Sequence, residues 1–339
     1  MKVALLGAGL AAGGHVRALA ALGTEVAAVA TRDSERHARV LEHFPRARRC
    51  WPPETALADV DLALVLTPPS THLDLVAAAA ARGIDVVVEK PLEVSAERAR
   101  ALVETAEAAG IGLAVSYQHR AKEAGAALHR LVTTGGLGRL VGGNLQMAWW
   151  RPQSYYDEPG RGRIDRDGGG VLITQAIHAL DLMVWALGAP ERVLAVASRS
   201  PVHELEAEDT MTALLGYPGG ATVSALVTTA APPGTAEQLT LVGSEATATL
   251  RGPRLDVHWI DRTEPATWGS EAGSGIAADT SLMPADWHIA LLRDAITAFS
   301  AGREPLASGR SALSTQYVVQ ALYDSAGTGE WTAVPGRDG

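Results

Sequence analysis

The chain opens 1-MKVALLGAGLAA-12, and the fold turns on how residues 7–12 are read. An apolar run ends at Gly7, Gly9 follows, and Ala12 closes a G-x-G-x-x-A pattern. In such a turn the first glycine permits a tight bend and the second lets the backbone approach a pyrophosphate. A small third residue lets helix and strand pack closely, with the helix N-terminus facing the phosphates. The pattern alone is weak. Placed after one strand and before another at the right distance, it predicts a dinucleotide-binding βαβ unit.

Working outward, apolar runs near 2–6, 25–30, 62–66, 84–89 and 112–117 read as strands. Helical patterns near 10–21, 33–43, 71–82 and 95–109 lie between them. The last of these opens on Ser95 as N-cap, has Glu97 in its first turn, and stops before Gly110. Strands alternating with helices predict a doubly wound parallel sheet covered on both faces, an α/β Rossmann domain over 1–119. The pattern then changes. A helix near 120–133, a strand over 139–150, a loop over 151–170 and a helix over 171–188 follow. From 191 to 261 strand succeeds strand, with turns at 218-PGG-220, 232-PPG-234 and 252-GP-253. A loop over 262–282 precedes closing helices near 285–301 and 309–326. Residues 120–339 are therefore predicted to form an α+β domain with a large open, mainly antiparallel sheet, free to pair with another subunit.

Composition narrows the function classes. At 339 residues the chain has room for two domains, and its net charge of -9 argues against a nucleic-acid partner. Its one cysteine, Cys50, excludes an intramolecular disulfide and a cysteine-based metal cluster. The first residues lack the basic start and cleavage site of a signal peptide, and no apolar run reads as a membrane span. A cytoplasmic protein without a membrane partner is expected.

Three further stretches carry chemistry. The second strand runs into 28-AVATRDSER-36. An acid at that strand's end would bind the ribose 2′-hydroxyl of NAD. Here Thr31 stands there and Arg32 follows, a pair better suited to a 2′-phosphate. NADP is expected over NAD, although a register shift of two would bring up Asp33. The strand at 62–66 runs into 67-TPPSTHL-73, where two prolines stop the ladder. That carboxyl edge is where open α/β sheets bind ligands. The stretch 86-VVVEKPLE-93 reaches the same edge. Of 29 basic residues only Lys2, Lys90 and Lys122 are lysine. A lysine ammonium is compact and can give up its proton when partly buried, which arginine does not do. Lys90 is therefore a candidate at the reacting end of the cofactor. Finally, 168-GGG-170 precedes Thr174, His178 and Asp181, whose spacings place them on one helix face. His178 is either a satisfied core histidine or a proton-transfer group, with Asp181 three residues on to hold its tautomer. The ligand set for a metal is thin, and none is expected. The loop 151-RPQSYYDEPGRGR-163, with Trp149, Trp150, Tyr155, Tyr156 and Arg161, suits the lining of a sugar or cyclitol pocket. Arg161 or Arg163 would meet a phosphate on a nucleotide sugar. The other reading of this loop is a surface or subunit contact.

Together 7-GAGLAA-12, 67-TPPSTH-72, 89-EKP-91, 116-SYQHR-120 and 168-GGGVLITQAIHALDL-182 resemble the Gfo/Idh/MocA oxidoreductases. That family includes glucose–fructose oxidoreductase, inositol dehydrogenases and keto-sugar reductases. The resemblance continues to 321-ALYDSAGTGEW-331. It implies hydride transfer between NADP or NAD and a hydroxyl or keto carbon of a sugar, cyclitol or sugar derivative, with Lys90 and His178 as the catalytic pair. It sets Gly7, Gly9, Leu10, Ala11, Thr31, Arg32, Thr67, Pro68, His72, Glu89, Lys90 and Gln118 around the cofactor. Around the substrate it sets Lys90, Tyr155, Arg161, Thr174, Gln175 and His178. It also implies a homodimer or homotetramer built on the second domain's sheet. One departure matters. Many members carry Asp four residues before the histidine, where this chain has Thr174, and glycine is common where it has Ala176. Threonine is no general base near neutral pH. Two rival readings follow: a regulatory protein that binds dinucleotide or sugar with weak or no catalysis, and a reductase of a C=N or C=C bond.

Overall fold

A computed structural model describes residues 1–270 and 285–336. The chain divides into two compact units.

The first unit holds Met1–Gln118 and, from much later in the chain, the helix Asp286–Ser300 with the residues after it as far as Leu313. Its strands are β1 (Lys2–Leu6), β2 (Glu25–Ala30), β3 (Arg48–Cys50), β4 (Leu62–Val65), β5 (Asp85–Val88) and β6 (Leu113–Val115). Helices α1 (Ala12–Ala21), α2 (Ser34–Leu41), α3 (His72–Ala80) and α4 (Ala96–Ala109) connect them. All pairings are parallel, in the order β3-β2-β1-β4-β5-β6. The central strands are apolar on both faces because helices cover both. β3 was not expected from the sequence: three residues, Arg-Arg-Cys, with no buried side chain, leave no periodic signal. The predicted division at 119/120 also needs correction. The Asp286–Ser300 helix buries Leu291, Leu292, Ala295 and Ala298, a stripe at helical spacing, and packs against α1 and β5. Burying each leucine contributes about 1.5–3 kcal/mol, so the stripe ties this segment to the parallel sheet.

The second unit runs from His119 and resumes at Ser314. It contains α5 (Glu123–Thr133), β7 (Leu140–Ala148), the short helices α6 (Gln153–Tyr156) and α7 (Ile164–Asp167), and α8 (Ile177–Leu187). Strands β8 (Arg192–Ser198), β9 (Thr210–Gly216), β10 (Thr222–Thr228), β11 (Gln238–Gly243), β12 (Ala246–Arg251), β13 (Arg254–Trp259) and β14 (Ala266–Gly269) follow. With the Asp286–Ser300 helix counted as α9, α10 (Gly309–Thr328) and β15 (Thr332–Ala333) complete the chain. The sheet order is β14-β13-β12-β11-β7-β10-β9-β8-β15, antiparallel except for the parallel pair β7/β10. Inward residues such as Leu145, Met147, Met211, Leu215, Val223, Val227, Leu239 and Leu241 are buried, at the period of two a one-sided sheet requires. β14 falls where the sequence suggested only loop. The helix expected over 171–188 begins as a π-helical turn, Leu172–Ala176, before α8. The stretch Ile164–Leu187 is long and apolar enough to cross a membrane, but 78% of its most apolar window is buried within the protein, as in a core helix.

Candidate functional site

Parallel registers put the ends of the first unit's strands at one level. Leu66 N–H donates to the Leu6 carbonyl (2.8 Å), Glu89 N–H to that of Val65 (2.8 Å), and Ser116 N–H to that of Val88 (2.9 Å). The row after the strands is thus Gly7, Leu66, Glu89 and Ser116, with Lys90 one step beyond. Gly7 has φ +111°, and a Cβ there would lie 2.8 Å from the Leu66 carbonyl oxygen, so only glycine fits. Gly9 differs: the nearest atom to a Cβ would be Arg36 Nη1 at 3.9 Å, leaving open space over the turn. No side chain caps α1, and its first turn holds no acid. Uncapped amides under open space, beside exposed Leu10 and Ala11, fit a pyrophosphate.

At the end of β2, Thr31 is buried and its hydroxyl accepts from the Asp33 amide (3.2 Å). The Asp33 carboxylate caps α2, accepting from the amides of Glu35 (2.9 Å) and Arg36 (3.1 Å), and pairs with the Arg36 guanidinium at 3.1 Å. The hydrogen bond from the Arg36 backbone N–H leads the effects that hold its carboxyl below the usual range. Asp33 is thus engaged with its own helix. The Arg32 guanidinium lies 4.7 Å from the centre of the exposed Trp51 ring. Arg36, near Gly9, is a second cation at this end that the sequence reading missed.

Other predicted cofactor residues lie deeper. His72 has no exposed surface, and its ring nitrogens approach the carbonyls of Thr67 (3.0 Å) and Leu92 (3.2 Å). Burial pulls its pKa below the ordinary value. The ring ties the 67–71 turn to the chain after β5 instead of facing a ligand. Thr67 accepts from the Thr71 hydroxyl (2.7 Å), and extended Pro68 leads into that turn. Glu89 takes the His15 Nε2–H on one carboxylate oxygen (2.6 Å) and the Lys90 backbone N–H on the other (3.0 Å). Burial would raise its pKa, but the His15 bond and nearby positive charge bring it down to about 2. His288 of α9 meets His15 edge-on at 4.9 Å, and burial pushes its pKa down to about 4. Gln118 leaves a buried Oε1 without a hydrogen-bond partner.

In the second unit the triple glycine is a packed corner. Gly168 and Gly169 have φ +83° and +154°. A Cβ at Gly169 would overlap the Tyr323 hydroxyl, and one at Gly170 the Glu208 carbonyl. Buried Glu208 accepts from the amides of Gly170 (2.9 Å) and Leu172 (3.0 Å) and from the Tyr323 hydroxyl (2.9 Å), while its own carbonyl takes the Val171 amide (2.9 Å). This clamp starts the π turn. Glu208 was not foreseen; it lies 38 residues from Gly170. The Thr174 hydroxyl donates to the Gly170 carbonyl (2.6 Å), and buried Gln175 has an Oε1 without a partner. His178, half-buried, stacks on His119 with centroids 4.9 Å apart. The expectation that Asp181 holds the His178 tautomer is overturned. Asp181 is fully buried and accepts from Arg120 Nε (2.8 Å) and Nη2 (2.6 Å) and from the Thr315 hydroxyl (2.8 Å).

In the loop after β7, Tyr155 and Tyr156 meet edge-to-face at 5.1 Å, and the Arg161 guanidinium lies 4.1 Å from the Tyr155 ring centre. Arg161 pairs with Glu158. Tyr156 bonds the Thr229 hydroxyl at 2.6 Å, and burial raises its pKa to about 12. Arg163 pairs with Asp165 in solvent (2.8 Å).

Residues 1–117 match the family described as "Oxidoreductase family, NAD-binding Rossmann fold", and residues 126–249 match "GFO/IDH/MocA C-terminal domain". A D-apiose dehydrogenase from Paraburkholderia graminis is 30% identical, over 97% of this chain and 88% of that protein. D-xylose 1-dehydrogenase (NADP(+)) 2 from Haloferax volcanii is 27% identical, over 97% and 98%. Among solved structures, the WlbA dehydrogenase from Chromobacterium violaceum, in complex with NADH and UDP-GlcNAcA, superposes with a TM-score of 0.86 at 28% identity. The match covers 99% of this chain and 96% of that one.

Proposed function

The chain belongs to the Gfo/Idh/MocA family of oxidoreductases, and on that footing we propose that it transfers a hydride between a nicotinamide dinucleotide and a hydroxyl- or keto-bearing carbon of a sugar. The observation that carries this reading is the carboxyl edge of the parallel sheet, where the open Gly9 turn and Lys90 stand in one register. The bound nicotinamide would accept or supply the hydride. The Gly7–Ala12 turn would hold the pyrophosphate, and the Gln118 Oε1 would accept from an amide. Lys90 would hydrogen-bond the reacting oxygen and stabilise its developing negative charge. His178 would take or return the hydroxyl proton, worth about 10²–10⁴ in rate. Asp181 has no place in that step, since Arg120 and Thr315 occupy its oxygens.

NADP is the cofactor we favour. Arg32 over Trp51, Arg36 beside the turn, and an Asp33 engaged in capping support it. Parallel fluorescence titrations with NADPH and NADH test it: NADPH should bind about tenfold or more tightly, and a preference for NADH would reject the assignment.

One observation favours a second reading, a binding protein without turnover. The Thr174 hydroxyl, standing where an Asp is usual, is directed at its own helix backbone. A sugar panel with both oxidised cofactors separates the two, since a sensor binds but reduces no cofactor.

We also propose self-association through the outer face of the nine-stranded sheet. Val196, Leu214, Leu226 and Val242 are exposed there among threonines and serines, a face poor in charge along β9 and β10. Light scattering should give a dimer or tetramer, and Leu226→Glu should shift it toward monomer. A monomeric parent protein would refute this.

A further inference from the structure

We infer that Arg151 is the core of a binding site for an anionic group, a carboxylate or a phosphate, carried by the sugar substrate. The inference rests on the dehydrogenase reading and narrows its substrate class.

Arg151 follows β7 and is 3% exposed. The protein gives its guanidinium little in return for that burial. Nη1 donates to the Trp150 carbonyl (3.0 Å), and Nε is buried without an acceptor. No carboxylate among the described residues pairs with it. Its neighbours are the faces of Trp149 and Tyr155, whose ring centres lie 5.1 and 5.6 Å from the guanidinium carbon. Such faces attract a cation but do not neutralise it. Arg161 lies over the same Tyr155 ring, and its charge acts against that of Arg151. Glu158 answers Arg161 alone. Arg161 thus has a paired carboxylate while Arg151, among the described residues, has none, in a place largely shut off from water.

Burying a guanidinium without an anion is unfavourable, and the other buried arginine among the described residues avoids it. Arg120, also buried, has both oxygens of Asp181. Arg151 departs from that rule while its backbone is firmly held. Its N–H donates to the Thr229 carbonyl (2.9 Å), and its carbonyl accepts from His203 Nε2 (2.7 Å). The other nitrogen of His203 is fixed on Asp209 at 2.7 Å. A guanidinium always carries its charge, and its planar fork matches a carboxylate or phosphate in two parallel hydrogen bonds. Tyr156, which packs on His203 at 4.8 Å, also contacts Gln175 of the π turn. The open donor thus belongs to the same framework as the helix that carries His178.

The test is calorimetric binding to the full chain with cofactor present. The probes are D-glucuronate, D-galacturonate, D-glucose 6-phosphate and UDP-glucuronate, against D-glucose, D-galactose and D-xylose. At least one acidic probe should bind about tenfold tighter than its neutral counterpart. That preference should nearly vanish in Arg151→Met, which keeps much of the packing stem. It should shrink but persist in Arg151→Lys, which keeps the charge and loses the fork. The carboxylate and phosphate arms identify which anion the site takes. Should no acidic probe outbind its neutral counterpart, the proposal falls. It falls also if Arg151→Met weakens acidic and neutral probes equally, as a packing role would. If Arg151→Met does not fold, Arg151→Lys decides by the same comparison. Binding is read apart from turnover: a tightly bound acid in a protein that oxidises no sugar of the panel would sink the dehydrogenase reading and leave the anion site standing.

Discussion

Two glycine-rich turns in this molecule use glycine for opposite ends. The turn after β1 keeps Gly9 under open space, so that the missing side chain exposes the backbone. The corner before α8 fills that space, with the Tyr323 hydroxyl where a Gly169 Cβ would go and the Glu208 carbonyl where a Gly170 Cβ would go. One turn leaves its backbone open, as the proposed pyrophosphate cradle requires. The other is shaped so that Glu208 can grip three consecutive amides and start a π turn, a distortion frequent at functional sites. Glycine content alone does not tell a cradle from a corner; what occupies the space beside the missing Cβ does.

The comparison can be sharpened first on the ligand-facing edge. Lys90→Met should lower kcat by about 10³-fold or more, with melting temperature and cofactor affinity nearly unchanged. Surviving turnover would mean that the edge binds without reacting. The second unit should respond in stability instead. Asp181→Asn leaves Arg120 buried without its counter-ion and should reduce unfolding free energy by about 3–5 kcal/mol, read by chemical denaturation. The paired glycine variants address the comparison itself. Gly170→Ala should reduce stability by about 1–3 kcal/mol by overpacking and leave cofactor affinity alone. Gly9→Ala should leave stability within about 0.5 kcal/mol and weaken cofactor binding by about tenfold. If the two variants exchange these phenotypes, the assignment of cradle and corner is reversed.

A pH dependence in the first unit is spread over several pH units. The Glu89 carboxyl, near 2 when folded against 4.5 ordinarily, stabilises fully above about pH 4.5 and loses that contribution as pH falls toward 2. His288, buried and neutral down to about 4 against 6.5, adds a loss between pH 6.5 and 4. In both windows the unfolded chain binds more protons, so stability falls with falling pH, with a slope of at most about 1.4 kcal/mol per pH unit for each group. Urea unfolding from pH 7 to pH 3 should show this, and Glu89→Gln should flatten the part below pH 4.5. An unchanged slope in that variant would show that the His15 pair contributes no linkage.

How much of this could be read in the sequence follows from the distance each signal travels. The β1 turn, the 67–71 prolines and the step from β5 to Lys90 are local patterns, and the parallel sheet follows from their repetition. β3 is too short to show a period. The destination of α9 depends on a partner helix at the other end of the chain. Asp181 looked like a partner for His178 because it is three residues away, yet its partner Arg120 lies 61 residues away. The π turn is invisible in 171-VLITQAIHALDL-182, because the residues that grip its start include Glu208 and Tyr323, far along the chain. Arg151 is one of three arginines in the loop 151-RPQSYYDEPGRGR-163, and nothing local sets it apart from Arg161 and Arg163. Its interest lies in the carboxylate it lacks among the described residues, and a missing partner leaves no mark in a sequence.

The most direct measurement is hydride transfer itself, followed by the near-ultraviolet absorbance of reduced nicotinamide. The purified protein is mixed with NADP or NAD and each member of a panel of neutral and acidic sugars, alongside Lys90→Met. The account predicts reduced cofactor with at least one sugar for the parent protein and none above background for the variant. Tight binding of cofactor and sugar with no reduction in either protein would contradict it, and would make this chain a sensor built on a dehydrogenase fold.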